Sequence, residues 1–79
     1  PKYDWPDLDR SAETSLKNQN TTTIDLPINN VDRAVGTRLG GWIAAHFGND
    51  GLKTRTTGFQ LSRYGGSKFW SVHYPRTIH

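Results

Sequence analysis

Cysteine and methionine are both missing from this 79-residue chain. Without cysteine there is neither a disulfide framework nor a thiolate metal site, two staples on which very small domains often rely. Apolar residues are also scarce, at 33%. The three tryptophans, three tyrosines and three phenylalanines must therefore supply much of any core. No apolar run approaches the ~20 residues that a membrane-spanning helix needs, so no membrane partner is expected. No charged n-region followed by an apolar stretch opens the chain. It starts on Pro1 rather than methionine, as expected of a processed or trimmed product, and the expected location is cytoplasmic. A chain of this length buries only about 60–65% of its unfolded surface, which bounds it to one domain of modest stability.

Acidic residues are nearly absent from the second half. Up to Asp32 there are six acids against Lys2, Arg10 and Lys17; from Arg33 onward Asp50 stands alone against seven basic residues. The net charge is +3. A basic half is what a phosphate-facing surface requires, because each neutralised phosphate releases counterions. A solvated face that serves solubility has the same composition.

Residues 1–20 hold two prolines, mixed charge and little apolar periodicity, and read as an N-terminal arm or linker that docks loosely. A short helix from Asp9 to Lys17 would place Leu8, Ala12 and Leu16 on one side. From Thr21 the period becomes two: Ile24, Leu26 and Ile28 share one face of a strand. Pro27 lacks a donor, so this strand is expected at a sheet edge or to end there.

A helix over about 31–47 follows. Asn29 or Asn30 is suited to cap it, and Asp32 in its first turn complements the dipole. Val31, Val35, Leu39, Trp42, Ile43 and Phe47 make one apolar stripe. Gly48 is expected in the left-handed position that ends the helix, with Asn49 and Gly51 continuing the turn. After a basic loop with Lys53 and Arg55, Thr56–Tyr64 reads as a strand carrying Phe59 and Leu61 on one face. Gly65-Gly66 reads as a turn, and Lys68–Tyr74 as a second strand, with Trp70, Val72 and Tyr74 opposite Phe69, Ser71 and His73. The expectation for residues 21–79 is a single small α+β domain: a β-α-β-β unit whose helix packs on a short antiparallel sheet or hairpin.

Gly36, Gly40, Gly41 and Ala44 lie away from the main stripe. Each interior glycine costs about 0.5–1 kcal/mol relative to alanine. Such a cost is rational where another backbone approaches closely, which makes the helix two-sided and this side an interaction face for a protein partner or a second copy. A frayed helix is the plainer explanation, and good caps argue against it.

The same residues resemble the glutamate synthase large (α) subunit, at the opening of its C-terminal right-handed β-helix domain, named for a GXGXG pattern. The matching residues are Ile28, Asn30, Arg33, Val35, Gly36, Leu39, Ile43, Ala44 and Gly48, followed by Gly51-Leu52. Gly40 stands where serine is usual. The likeness covers about residues 24–52. Beyond it, Gly66 and Phe69 remain in register, while Arg63 and Trp70 replace two glycines that let coils of a β-helix stack closely. The resemblance implies a bracing domain without catalytic residues. The family's nucleophilic cysteine, flavin site and cluster-binding cysteines lie elsewhere in it.

Little catalytic chemistry stands against that expectation. His46, His73 and His79 show no paired spacing for a metal, and Ser62, Ser67 and Ser71 no nucleophile-elbow context. Gly65-Gly66-Ser67-Lys68 lacks the spacing of a phosphate loop and suits a hairpin turn better. No enzyme activity, cofactor or metal is expected. One arrangement supports a second class of function. Arg55, Arg63, Lys68 and Arg76 interleave with Phe59, Tyr64, Phe69, Trp70 and Tyr74, a pattern that suits a nucleic-acid surface through stacking and phosphate contacts. The competing explanation makes the aromatics core, with Phe59, Leu61, Trp70 and Val72 facing the helix.

Overall fold

The computed structural model describes residues 3–56, 58–63 and 70–76, the side chains of Ser62 and Arg63 excepted. Helix α1 spans Trp5–Lys17, strand β1 Thr23–Leu26, helix α2 Arg33–Thr56, strand β2 Gln60–Arg63 and strand β3 Trp70–His73. The strands form one antiparallel sheet in the order β1-β3-β2. Two helices and this sheet make the fold α+β. These antiparallel pairs differ from the parallel coils of a β-helix.

The segment read as a loosely docked arm carries α1, which starts four residues before Asp9. Asp4 caps it by accepting from Asp7 N at 3.3 Å. Pro6 sits in the first turn, where its missing donor costs nothing. Leu8, Ala12 and Leu16 recur every four residues and are at most 5% exposed. Docking is therefore tight, because α1 brings a full apolar stripe to a domain short of aliphatic residues. Its Ser15 Oγ also accepts from Asp25 N at 3.1 Å, so α1 satisfies a donor on the open edge of β1.

β1 is an edge strand that stops before Pro27, as its missing donor demands. Ile24 and Leu26 point inward and lie opposite Val72 and Trp70 of the central β3. With Ile28 and Tyr74 they join the stripe of α1 and Val35, Leu39 and Ile43 of α2 in one core. Burial of each such aliphatic side chain is worth about 1.5–3 kcal/mol.

Three expectations are corrected. The cap of α2 is Asp32 rather than Asn29 or Asn30: Asp32 Oδ1 accepts from Val35 N at 3.1 Å and its carbonyl from Gly36 N at 2.9 Å. Gly48 does take a positive φ of 80°, yet the helix resumes beyond it. Lys53 and Arg55 thus lie on a helical turn and not in a loop, and β2 begins only at Gln60. Finally, Leu61 is 51% exposed. It shares a face with Val72, but β2 is the outer edge strand and, among the described residues, neither helix lies against it. The Gly65-Gly66 turn lies outside the described residues.

Candidate functional site

The glycine side of α2 is open at two of its positions, Gly36 and Gly41. A Cβ built on Gly36 or Gly41 meets nothing within 4 Å, and one on Gly40 would lie 3.7 Å from Leu52 Cδ1. The kink at Gly48 returns the last turns of α2 toward Gly40, so part of this side is covered from within the chain. Ala44 is half-buried, whereas Gly36 and Gly41 are exposed. Beside Gly41 runs an open groove of about 950 Å³ whose walls include Ala34, Thr37, Trp5 and Trp42.

A polar bridge forms the floor of that groove. Arg38 Nε and Nη2 donate to the two oxygens of Asp9 at 2.9 and 2.5 Å, a bidentate pair linking α2 to α1. Trp42 Nε1 donates to the same carboxylate at 2.5 Å. The guanidinium also lies 4.8 Å from the Trp5 ring centroid, as its flat face allows. Hydrogen bonding from Arg38 holds the Asp9 carboxyl below its ordinary value; burial opposes it, and the bond from Trp42 and the charge of Arg38 add to the lowering. The sequence reading placed Trp42 in the apolar stripe and missed the bridge. Its signal was the i, i+4 spacing of Arg38 and Trp42, because an indole N–H taken from water needs an acceptor.

Of the described residues assigned to a nucleic-acid surface, Trp70 stands apart from Arg55, Tyr74 and Arg76. Trp70 is half-buried and donates its indole N–H to Asn29 O at 2.9 Å. Tyr74 is 7% exposed and packs on Phe47, with ring centroids 5.7 Å apart. Burial raises the pKa of the Tyr74 hydroxyl, opposed by the positive charge of Arg55. Arg55 and Arg76 line one pocket with Tyr74. Tyr64, Lys68 and the side chain of Arg63 lie outside the described residues.

The histidines and serines take ordinary partners. His46 sets its ring edge-on to Phe47 at 4.5 Å, and His73 Nδ1 lies 3.1 Å from Thr23 Oγ1. Ser71 is fully buried and donates to Asp25 Oδ1 at 2.8 Å. Ser67 and His79 fall outside the described residues. Among the described residues no cluster of three or more histidine or acidic side chains could hold a metal ion. No helix among them is long and apolar enough to cross a membrane.

Fold and site define a small α+β domain with one core and an open small-residue helix face. The chain belongs to the GXGXG motif family, whose model matches residues 6–75. The match runs well beyond residues 24–52 and takes in all of α1 but its first residue and all three strands. No curated protein and no solved structure matches the chain significantly.

Proposed function

We propose that this chain is a non-catalytic structural and interaction module of the glutamate-synthase type, whose Gly36/Gly40/Gly41/Ala44 side receives another protein chain. The observation that carries this reading is the empty space around Gly36 and Gly41. Both have negative φ, so neither needs to be glycine for its backbone conformation. Among the described residues nothing lies within 4 Å of a Cβ at either position to offset the helix stability they forgo. An incoming backbone or side chain would offset it, with Trp5 and Trp42 beside the contact as aromatic anchors.

Mass in solution across a range of concentrations tests the reading. Association should raise the mass of the wild type, and Gly41→Leu should remove the rise while keeping the helical signal and not lowering the thermal midpoint of the monomer. A mass that Gly41→Leu leaves unchanged, in a folded protein, overturns it. Gly41 is a cleaner test position than Gly40, where a larger side chain would also press on Leu52.

A small basic nucleic-acid-binding domain is the second reading, and the convergence of Arg55 and Arg76 on one pocket favours it. Binding should weaken steeply as salt rises, and its absence at ~50 mM salt would discard the idea.

A further inference from the structure

A second pocket, at the C-terminal end of α1, has a different chemistry from the glycine groove. It encloses about 560 Å³, within the range of small-molecule sites. Its walls come from three parts of the chain. The α1–β1 connection contributes Asn18, Thr21 and Thr22; the last turns of α2 contribute Arg55; the segment after β3 contributes Tyr74 and Arg76. His46 and Phe47 complete one side. None of the described residues lining it is acidic.

Arg55 is the unusual member. Its guanidinium lies over the Phe47 ring, 3.6 Å from the centroid, which fixes the plane of the fork. Its Nε is buried and has no hydrogen-bond partner among the described residues. A buried cationic donor left unpaired costs more than an ordinary hydrogen bond returns, so such an atom calls for an explanation. No described acid pairs with Arg55 or Arg76. Two arginines, two threonines and Tyr74, all residues with side-chain donors, line the pocket from separate elements. Donors arriving from several directions suit a tetrahedral oxyanion, whereas a carboxylate presents its acceptors in one plane.

We propose that this pocket binds the phosphate group of a small phosphorylated molecule, with Arg55 and Arg76 as its charged donors. Arg55 supplies a guanidinium held in one plane by Phe47 from the α2 side, and Arg76 closes the site from the exposed side. The pocket is larger than a lone phosphate needs, which leaves room for the group that carries it. The site is separate from the glycine groove, so it stands whether or not the chain associates through that face.

The test is a titration of the isotopically labelled 79-residue chain with inorganic phosphate, following the Arg55 side-chain Nε–H signal by NMR at constant ionic strength set with chloride. A saturable shift is expected in the millimolar range or tighter. Arg76→Gln, at an exposed position beyond the sheet, should raise the half-saturation about tenfold, as expected for loss of one charge-assisted bond. Arg55→Lys keeps the charge and loses the fork, and should weaken binding similarly if it folds. A parallel arm uses a single-stranded oligonucleotide of ten thymidines. No saturable shift with phosphate, or one that Arg76→Gln leaves unchanged, overturns the proposal. So does binding of the oligonucleotide alone, which would assign the pocket to a nucleic-acid backbone.

Discussion

The Tyr3 hydroxyl donates to Asp32 Oδ2 at 2.7 Å, while Asp32 Oδ1 accepts from Val35 N at 3.1 Å. One carboxylate thus caps α2 and tethers the segment that leads into α1. The bond to Asp32 raises the Tyr3 pKa, with burial adding to it. Asp32→Ala should cost about 1–2 kcal/mol through loss of the cap. Tyr3→Phe should cost about 0.5–1.5 kcal/mol. Because both act through the same carboxylate, the double variant should lose less than the sum, with a coupling of at least about 0.5 kcal/mol. Urea midpoints of the three variants measure this, and strict additivity would place the tether outside the folded state's energetics.

Acid stability should depend on Asp9. Its carboxyl is held low chiefly by the bond from Arg38, and Glu13 is held low in the same way by Lys17 at 2.8 Å. A carboxyl with a depressed folded pKa contributes stability that is complete above its unfolded value, about 3.9 for Asp. That contribution disappears as pH falls through the lower folded value. Asp9→Asn should therefore flatten the fall in thermal midpoint below about pH 4 relative to the wild type. Both side chains are well exposed, so the effect should also shrink in high salt. An unchanged acid limb would show that the Arg38–Asp9–Trp42 bridge is not maintained in solution.

Glycines on α2 should respond in opposite directions. Gly36 has open space and a negative φ, and Gly36→Ala should stabilise the chain by about 0.5–1 kcal/mol. Gly51 has no such freedom: an added Cβ would overlap Phe47 Cβ and lie 3.1 Å from Arg55 Nη1. Gly51→Ala should therefore destabilise, by about 1–3 kcal/mol as for other overpacked sites. Thermal midpoints decide both, and equal responses would contradict the packing of Gly51 against Phe47.

Leu61 and Val72 share one face of the sheet in neighbouring strands. Val72→Ala should cost about 1–3 kcal/mol, since the side chain is fully buried. Leu61→Thr should stay within about 0.5 kcal/mol, because half of the residue is in water. Comparable losses at both positions would indicate that Leu61 is covered in solution, for instance in an oligomer.

By itself the sequence determined the parts that rest on local chemistry. The stripe through Val35, Leu39 and Ile43 names a helix because only a period near 3.6 puts those side chains on one side. The alternation of Ile24 and Leu26, stopped by Pro27, names an edge strand. Gly48 takes the left-handed backbone that its lack of a Cβ permits. Only the tertiary structure decided between alternatives that are locally equal. Asn29, Asn30 and Asp32 can each cap a helix, and a bond from Tyr3 across 29 positions accompanies the choice of Asp32. Leu8, Ala12 and Leu16 become core because α1 settles on β1 and α2, while Leu61 stays wet because β2 falls on the far edge. For the candidate sites the division is similar. The cost of Gly36 and Gly41 is readable from helix propensity, but the empty space around them is a matter of packing. The gathering of Arg55, Tyr74 and Arg76 with the α1–β1 connection depends on contacts between distant segments, which no local pattern encodes.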